Sequence, residues 1–352
     1  MGEINLRILF VDLTKGHDPK ALYDKPTGGT LTSLTKVPEY LASIGHEVYV
    51  SSTHQVEETV NGVHYIVANS KVPKWDVTVF NRNVLPNDFV KYCKQQGSKI
   101  VWWLHDIVDT RYLPDNTYLL VDKVVALSKY CKDTFSDFYS IHPDSFTIIP
   151  NGIDPEVFYP GVYEDRNPHL FITASAPIKG YTPIEATFSS LKDFDMDLDF
   201  RIYSSQSLHG QENTEGQKKF LDRMHVAGAH VYAPTSQKVM AALMRKAWVL
   251  LMPNSYPEIC SNLLLQARAC GLPVVSSNIG SNPEFVEHEK TGLLTTKWHP
   301  HDIHSWSVEF ARQACVLQRH PDLHRSISEK SPLDVLTWRE VGEKWNELIT
   351  TL

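Results

Sequence analysis

The sequence predicts an α/β protein built as two doubly wound domains in succession. Short strand-like runs alternate with helix-length segments, and that alternation happens twice, on either side of a segment rich in Pro, Gly and Asn. At 352 residues the chain also exceeds one ordinary hydrophobic core.

Taken in order, the first series of strand-like runs is LRILFVDL (6–13), HEVYVSS (46–52), DVTVF (76–80), KIVWWLH (99–105), KVVALS (123–128) and SFTIIP (145–150). Spacings of this kind leave room for a crossover helix between strands, which makes the sheet parallel. The second series is HLFITAS (169–175), LDFRIYS (198–204), HVYAP (230–234), AWVLLMP (247–253), PVVSS (273–277) and TGLLT (291–295). Between them, IPNGIDPEVFYPGVYEDRNP (149–168) reads as an irregular connection. The expected division is therefore 1–158, 159–334 and a terminal segment, 335–352. In that segment Trp338, Val341, Trp345, Leu348 and Ile349 recur at helical spacing, so one face must be buried.

Composition narrows the class. Hydrophobic residues make up 42% and charged residues 21%, and no apolar run reaches the length of a membrane span. The start, MGEINLRILFVDL, carries an acid before its apolar run and passes directly into a strand, so it reads as a cytoplasmic protein's N-terminus, not a signal peptide. Five cysteines with no CxxC spacing argue against a disulfide framework and a zinc site. A net charge of −7 gives no general attraction to nucleic acid. The basic, tyrosine-bearing stretches KYCKQQGSK (91–99) and SKYCK (128–132) read either as solvated helix faces or as a weak membrane-surface contact.

The most informative stretch is 255–294. Glu258 follows the strand AWVLLMP and precedes an apolar helix, SNLLLQARAC, that ends at Gly271. A strand-to-helix turn presents backbone N–H groups and the positive helix end to a ligand, and a diphosphate suits both. Glu258 and Gln266 are eight residues apart and are expected to bracket about two helical turns. With ARACGLPVV (267–275), this stretch resembles the retaining glycosyltransferases of the GT-B fold, particularly glycosyltransferase family 4 (glycosyl transferases group 1). That family's pattern is Glu, seven residues, Glu, then Ala-x-x-x-Gly-x-Pro-Val-Val. Here the second acid is Gln266.

The resemblance implies two Rossmann-like domains facing a cleft, a C-terminal helix that crosses back to the first domain, and a nucleotide-diphosphate sugar as donor. It implies that Glu258 binds donor-sugar hydroxyls, that Gln266 faces the ribose, and that the backbone of Ile259, Cys260, Ser261 and Asn262 meets the phosphates. PTGGTLTSLTKVPEYLASIGHEVYV (26–50) matches the family's N-terminal pattern, placing Gly28 and Gly29 at a helix start where a ligand approaches closely. Pro38 should kink that helix or delay its regular part. PNGID with Phe158 matches the family's linker.

His105 and Asp106 follow the strand KIVWWL, at a strand's carboxyl end, where open α/β sheets place ligands. The resemblance gives His105 contact with the donor sugar; its plain alternative is a polar residue capping the sheet. Asp106 either orients His105 or caps a helix. Lys179 and Gly180 follow a strand, and a lysine there can neutralise a leaving diphosphate. The family's arginine just before it is replaced here by Ser175, Ala176 and Pro177, leaving Arg201 and Arg245 as reserve cations. NIGSNPEFVEHEKTGLL (278–294) resembles the family's Gly-x-x-Glu loop, which would set Gly280 against phosphates or sugar and let Glu284 fix the loop. DFDMDLD (193–199) contains Asp-x-Asp triplets of the kind that hold a metal in GT-A enzymes, but it precedes a strand, where acids face solvent.

The expected function is metal-independent transfer of a hexosyl unit, with retention, to a saccharide, lipid-linked or protein-linked acceptor. Two alternatives remain: a GT-B-fold nucleotide-sugar epimerase, for which no motif is present, and a nucleotide-sugar-binding protein with lost turnover, suggested by Gln266 and the missing arginine.

Overall fold

The computed structural model describes residues 5–14, 16, 18–53, 57–67, 74–82, 84–108, 116–174, 179, 181–194, 197–205, 212–296 and 302–352. Two compact units emerge. One comprises Met1–Leu22, Gly29–Gly152 and Leu336–Leu352; the other comprises Tyr23–Gly28 and Ile153–Val335.

In the first unit the elements run β1 (Arg7–Asp12), α1 (Gly29–Ser43), β2 (Glu47–Ser52), β3 (Glu58–Val60), β4 (Val63–Val67), β5 (Val77–Asn81), α2 (Asn87–Gln95), β6 (Lys99–Trp103), β7 (Lys123–Ala126), α3 (Lys129–Tyr139) and β8 (Phe146–Ile148). Their sheet order is β3-β4-β2-β1-β5-β6-β7-β8. Every pairing is parallel except β3 with β4. β5 is buried along its whole length, and β6 everywhere but Lys99, as expected of central parallel strands covered on both faces. The β3–β4 hairpin is absent from the strands expected above. Asn61 (φ 49°) and Gly62 (φ 81°) turn it, both in the left-handed region that a two-residue hairpin requires.

The second unit contains β9 (Leu170–Thr173), α4 (Tyr181–Phe194), β10 (Asp199–Tyr203), α5 (Glu215–Val226), β11 (His230–Tyr232), α6 (Gln237–Lys246), β12 (Val249–Met252), α7 (Asn262–Ala269), β13 (Val274–Ser276), α8 (Asn282–Phe285), β14 (Leu293–Leu294), α9 (Ile303–Arg319) and α10 (Pro321–Lys330). Its strands are parallel in the order β11-β10-β9-β12-β13-β14. The phenylalanines Phe171, Phe188, Phe200, Phe220 and Phe310 dominate its core. Arg166 is buried in the same unit. It donates to the carbonyls of Met244, Ala247, Cys270 and Gly271, satisfying the ends of α6 and α7, and burial pulls its pKa down to about 10.

The remaining helix, α11 (Trp338–Thr350), belongs to the first unit. Thr337 and Glu340 start it with a reciprocal capping box, and the five apolar residues named above are all buried. It packs on α1, where Gly342 admits the Tyr40 ring: a Cβ at Gly342 would stand 2.2 Å from Tyr40 Cγ. α1 itself runs unbroken through the buried Pro38 and begins directly at Gly29, so the proline does not delay it. All five cysteines are buried and free.

Candidate active site

The parallel strands of each sheet reverse their order once, and side chains gather at the carboxyl ends beside that reversal, where such sheets place ligands. In the second unit the reversal lies between β9 and β12. Lys179 follows β9 and Glu258 follows β12. Their side chains meet in an ion pair, Lys179 Nζ to Glu258 Oε1, of 2.6 Å. Glu258 is buried, whereas the lysine is about a quarter exposed. The Ser255 amide donates to the Lys179 carbonyl at 3.0 Å, tying the two loops together through the backbone as well. Asn254 Nδ2 lies 3.4 Å from the same carboxylate oxygen, and the Lys179 ammonium lies 5.5 Å from the centre of the Tyr256 ring.

Ile259, Cys260 and Ser261 are buried between Glu258 and α7. Ser261 holds the N-cap position without a side-chain cap bond, so the helix's positive end is not closed by its own cap residue. Because α7 starts only at Asn262, Glu258 and Gln266 do not bracket two helical turns; a short loop and about one turn separate them. Gln266 is half-buried. Gly280 answers a local demand: at φ +60° its Cβ would stand 2.5 Å from the Glu258 carbonyl oxygen, and Ser281 N donates to that oxygen at 2.8 Å. The 280–281 turn thus braces the backbone that carries Glu258.

In the first unit the reversal lies between β1 and β5. Asp12, at the end of β1, is fully buried and accepts from Thr14 N (2.9 Å), Thr14 Oγ1 (2.6 Å), Asn81 Nδ2 (2.9 Å) and Arg82 Nε (3.1 Å). Arg82 reaches on to Asp106 at 3.4 Å. Its backbone is left-handed (φ 67°), unusual for a residue with a side chain. β6 holds it there: Arg82 N donates to the Trp103 carbonyl and Trp102 Nε1 donates to the Arg82 carbonyl. Asp106 therefore pairs with Arg82 and does not orient His105 by a hydrogen bond.

His105 is buried, and its Nε2 has no hydrogen-bond partner among the described residues. Burial, with a smaller push from the Arg82 guanidinium, holds its pKa well below the ordinary histidine value, so the ring is neutral. Gly28 lies in the short piece that clusters with the second unit, and Gly29 opens α1. A Cβ at Gly28 would meet nothing within 4 Å, so packing within the chain does not demand glycine there.

Gly180 and residues 175–178 lie outside the described residues, as does Asp195 of the DFDMDLD stretch. In that stretch Asp199 pairs with Arg201 at 2.6 Å. Arg245 donates to the Val157 carbonyl and lies over the Tyr159 ring. Both reserve cations are thus engaged elsewhere. Sequence reasoning passed over Asp12, Asn81 and Arg82. Their signal was position alone, at the carboxyl ends of the two strands flanking the reversal.

Over residues 167–308 the chain matches the family described as Glycosyl transferases group 1. It is similar to the D-inositol 3-phosphate glycosyltransferase of Segniliparus rotundus, with 24% identity over 208 residues, covering 56% of this chain and 45% of that protein. The chain thus spans about half the length of the curated relatives it matches. Among solved structures it resembles sucrose-phosphate synthase from Thermosynechococcus elongatus (TM-score 0.78, 14% identity, 99% of both chains). It also resembles Anabaena HepE in complex with UDP-glucose (TM-score 0.74, 15% identity, 99% of this chain and 100% of that one). The fold is GT-B, with two parallel-sheet, Rossmann-like domains. No helix among the described residues is long and apolar enough to cross a membrane.

Proposed function

We propose that this chain transfers a hexosyl unit from a nucleoside diphosphate sugar to a hydroxyl acceptor, with retention of anomeric configuration and without a metal ion. The observation that carries this reading is the Lys179–Glu258 pair at the strand reversal of the second unit. When the bond between the sugar's anomeric carbon and the diphosphate opens, negative charge builds on the leaving phosphate, and a fixed ammonium lowers that barrier. Without a donor, Glu258 is the partner of that ammonium. A bound diphosphate would share Lys179 and release Glu258 to accept hydrogen bonds from sugar hydroxyls. The acceptor hydroxyl then bonds to the anomeric carbon from the face the diphosphate leaves, and the diphosphate takes its proton. No protein nucleophile is assigned.

His105 is assigned to the sugar, since a neutral imidazole with an unpaired Nε2 can hydrogen-bond a hydroxyl without adding charge. The match to group 1 glycosyl transferases supports the reaction class, and the UDP-glucose in the HepE structure favours a uridine sugar as first candidate. The test is incubation with a panel of nucleotide sugars, following release of free nucleotide and, with an accepted alcohol, the anomeric configuration by NMR. Slow nucleotide release from one donor, unaffected by EDTA, is the expected result. Binding without release would favour a donor-binding protein without turnover, and loss on EDTA with recovery on manganese would contradict metal independence.

A further inference from the structure

We infer that Trp345, on the C-terminal helix, is a positioning residue for His105 and acts through the ring of Trp103. The inference rests on the assignment of His105 to the sugar. Trp103 ends β6, and its ring lies 4.5 Å from the His105 ring and 4.7 Å from the Trp345 ring, the latter in an edge-on contact. Phe10 of β1 completes the cluster, 6.1 Å from Trp103 and 6.0 Å from Trp345. All four residues are buried, Trp345 and Phe10 completely.

Hydrogen bonding does not fix these rings. The indole N–H groups of Trp103 and Trp345, like His105 Nε2, are buried without partners among the described residues. The imidazole takes its orientation from packing, so whatever sets the Trp103 plane sets the histidine. Trp345 backs that plane on one side. A smaller side chain at 345 leaves space that Trp103 can relax into, since a void removes contact on one side of its lining. His105, whose Nε2 has no hydrogen bond among the described residues to hold it, follows.

The test uses the full chain and three variants, Trp345→Leu, Trp345→Phe and Trp338→Leu, read by the His105 ring resonances in NMR, with His105→Gln supplying the assignment. Trp338 lies on the same helix and is buried, which makes it the control for general damage to α11. Trp345→Leu should move the His105 resonances and lower kcat on the order of tenfold with little change in donor KM, as expected of a reacting group displaced by a fraction of an ångström. Trp345→Phe, which keeps a ring and guards against loss of fold, should show the same changes to a smaller degree. Trp338→Leu should leave the resonances in place. Unmoved resonances in a folded Trp345 variant, or equal movement in the Trp338 variant, would overturn the inference. Wild-type turnover in His105→Gln would instead remove the reading it rests on.

Discussion

At the strand reversal of the first unit, Asp12 is surrounded: four donors from Thr14, Asn81 and Arg82 converge on one buried carboxylate. At the reversal of the second unit, Glu258 has one short contact, to the ammonium of Lys179, and a long one to Asn254. Each unit has an acid beside its strand reversal, at the end of the first strand (β1) in one and after the strand across the reversal (β12) in the other, yet one acid is closed and the other open to exchange. A closed carboxylate fixes backbone and side chains, here holding the left-handed Arg82 in register. A carboxylate held mainly by one ammonium can give that partner up when a ligand brings its own charge. Histidines divide the same way. His324 in the second unit is buried, yet both ring nitrogens are partnered, Nε2 by the Trp248 carbonyl at 2.8 Å and Nδ1 by Tyr163 Oη at 3.0 Å. His105 is also buried, and its Nε2 has no partner among the described residues.

Removing the closed acid should cost the most. Asp12→Ala leaves Arg82 and Asn81 facing a buried gap, and loss of one partner of such a pair is expected to destabilise by about 3–5 kcal/mol, measured by urea unfolding. Glu258→Gln should invert the pattern, with stability close to the parent's and turnover lower by about a hundredfold, which is roughly 2.7 kcal/mol of transition-state stabilisation. Equal losses of stability in both variants would erase the distinction between a closed and an open acid. Lys179→Ala belongs with the second case and should weaken donor binding or turnover by about tenfold or more.

The strands, the helix spacing of α11 and the group 1 resemblance were legible because burial writes period and composition into the chain. Trp338, Val341, Trp345, Leu348 and Ile349 announce a buried stripe whatever they face. Glu258 and Lys179 were legible one at a time. Their pairing was not, since 79 residues separate them and only the β9–β12 neighbour relation brings the loops together. Asp12 and Arg82 carried no motif at all; an Asp ending a strand and an Arg following another become a network only once the sheet order is known. The hairpin at Asn61-Gly62 did carry a local signal, the Asn-Gly dipeptide, flanked by strands of only three and five residues.

Acidification should separate the two histidines by consequence. Burial holds His324 at about 4 and His105 well below its ordinary value, so both rings are neutral in the fold and bind protons more readily once unfolded. The unfolded chain takes up the extra protons as pH falls through the ordinary histidine range near 6.5, so stability should decline from there down toward pH 4. For His324 alone the loss is on the order of 3 kcal/mol at the lower limit. His324→Phe should flatten part of that decline without altering donor kinetics at neutral pH. His105→Gln should flatten part of it and reduce turnover, and a His324 variant with equally impaired turnover would contradict the division.

The smallest effect is expected at Gln266, on the open side of the comparison. Its side chain is half-buried on α7, makes no hydrogen bond among the described residues, and stands where the family pattern has glutamate. A glutamine offers one acceptor and one donor group, whereas a carboxylate accepts from both hydroxyls of a ribose diol. Gln266→Glu should therefore keep the fold and strengthen binding of a ribonucleoside diphosphate, by at most the value of one charge-assisted hydrogen bond, about 1.5–3 kcal/mol. Two terms oppose this, desolvation of the new charge and its repulsion from the diphosphate, so the gain should fall toward the lower end. Titration calorimetry with the ribonucleotide and its 2′-deoxy analogue isolates the diol, because both opposing terms act on the two ligands alike. Only the ribonucleotide should gain. Equal affinity for both ligands, in parent and variant, would show that Gln266 touches no ribose and that Glu258 and Lys179 hold the donor from the phosphate and sugar side alone.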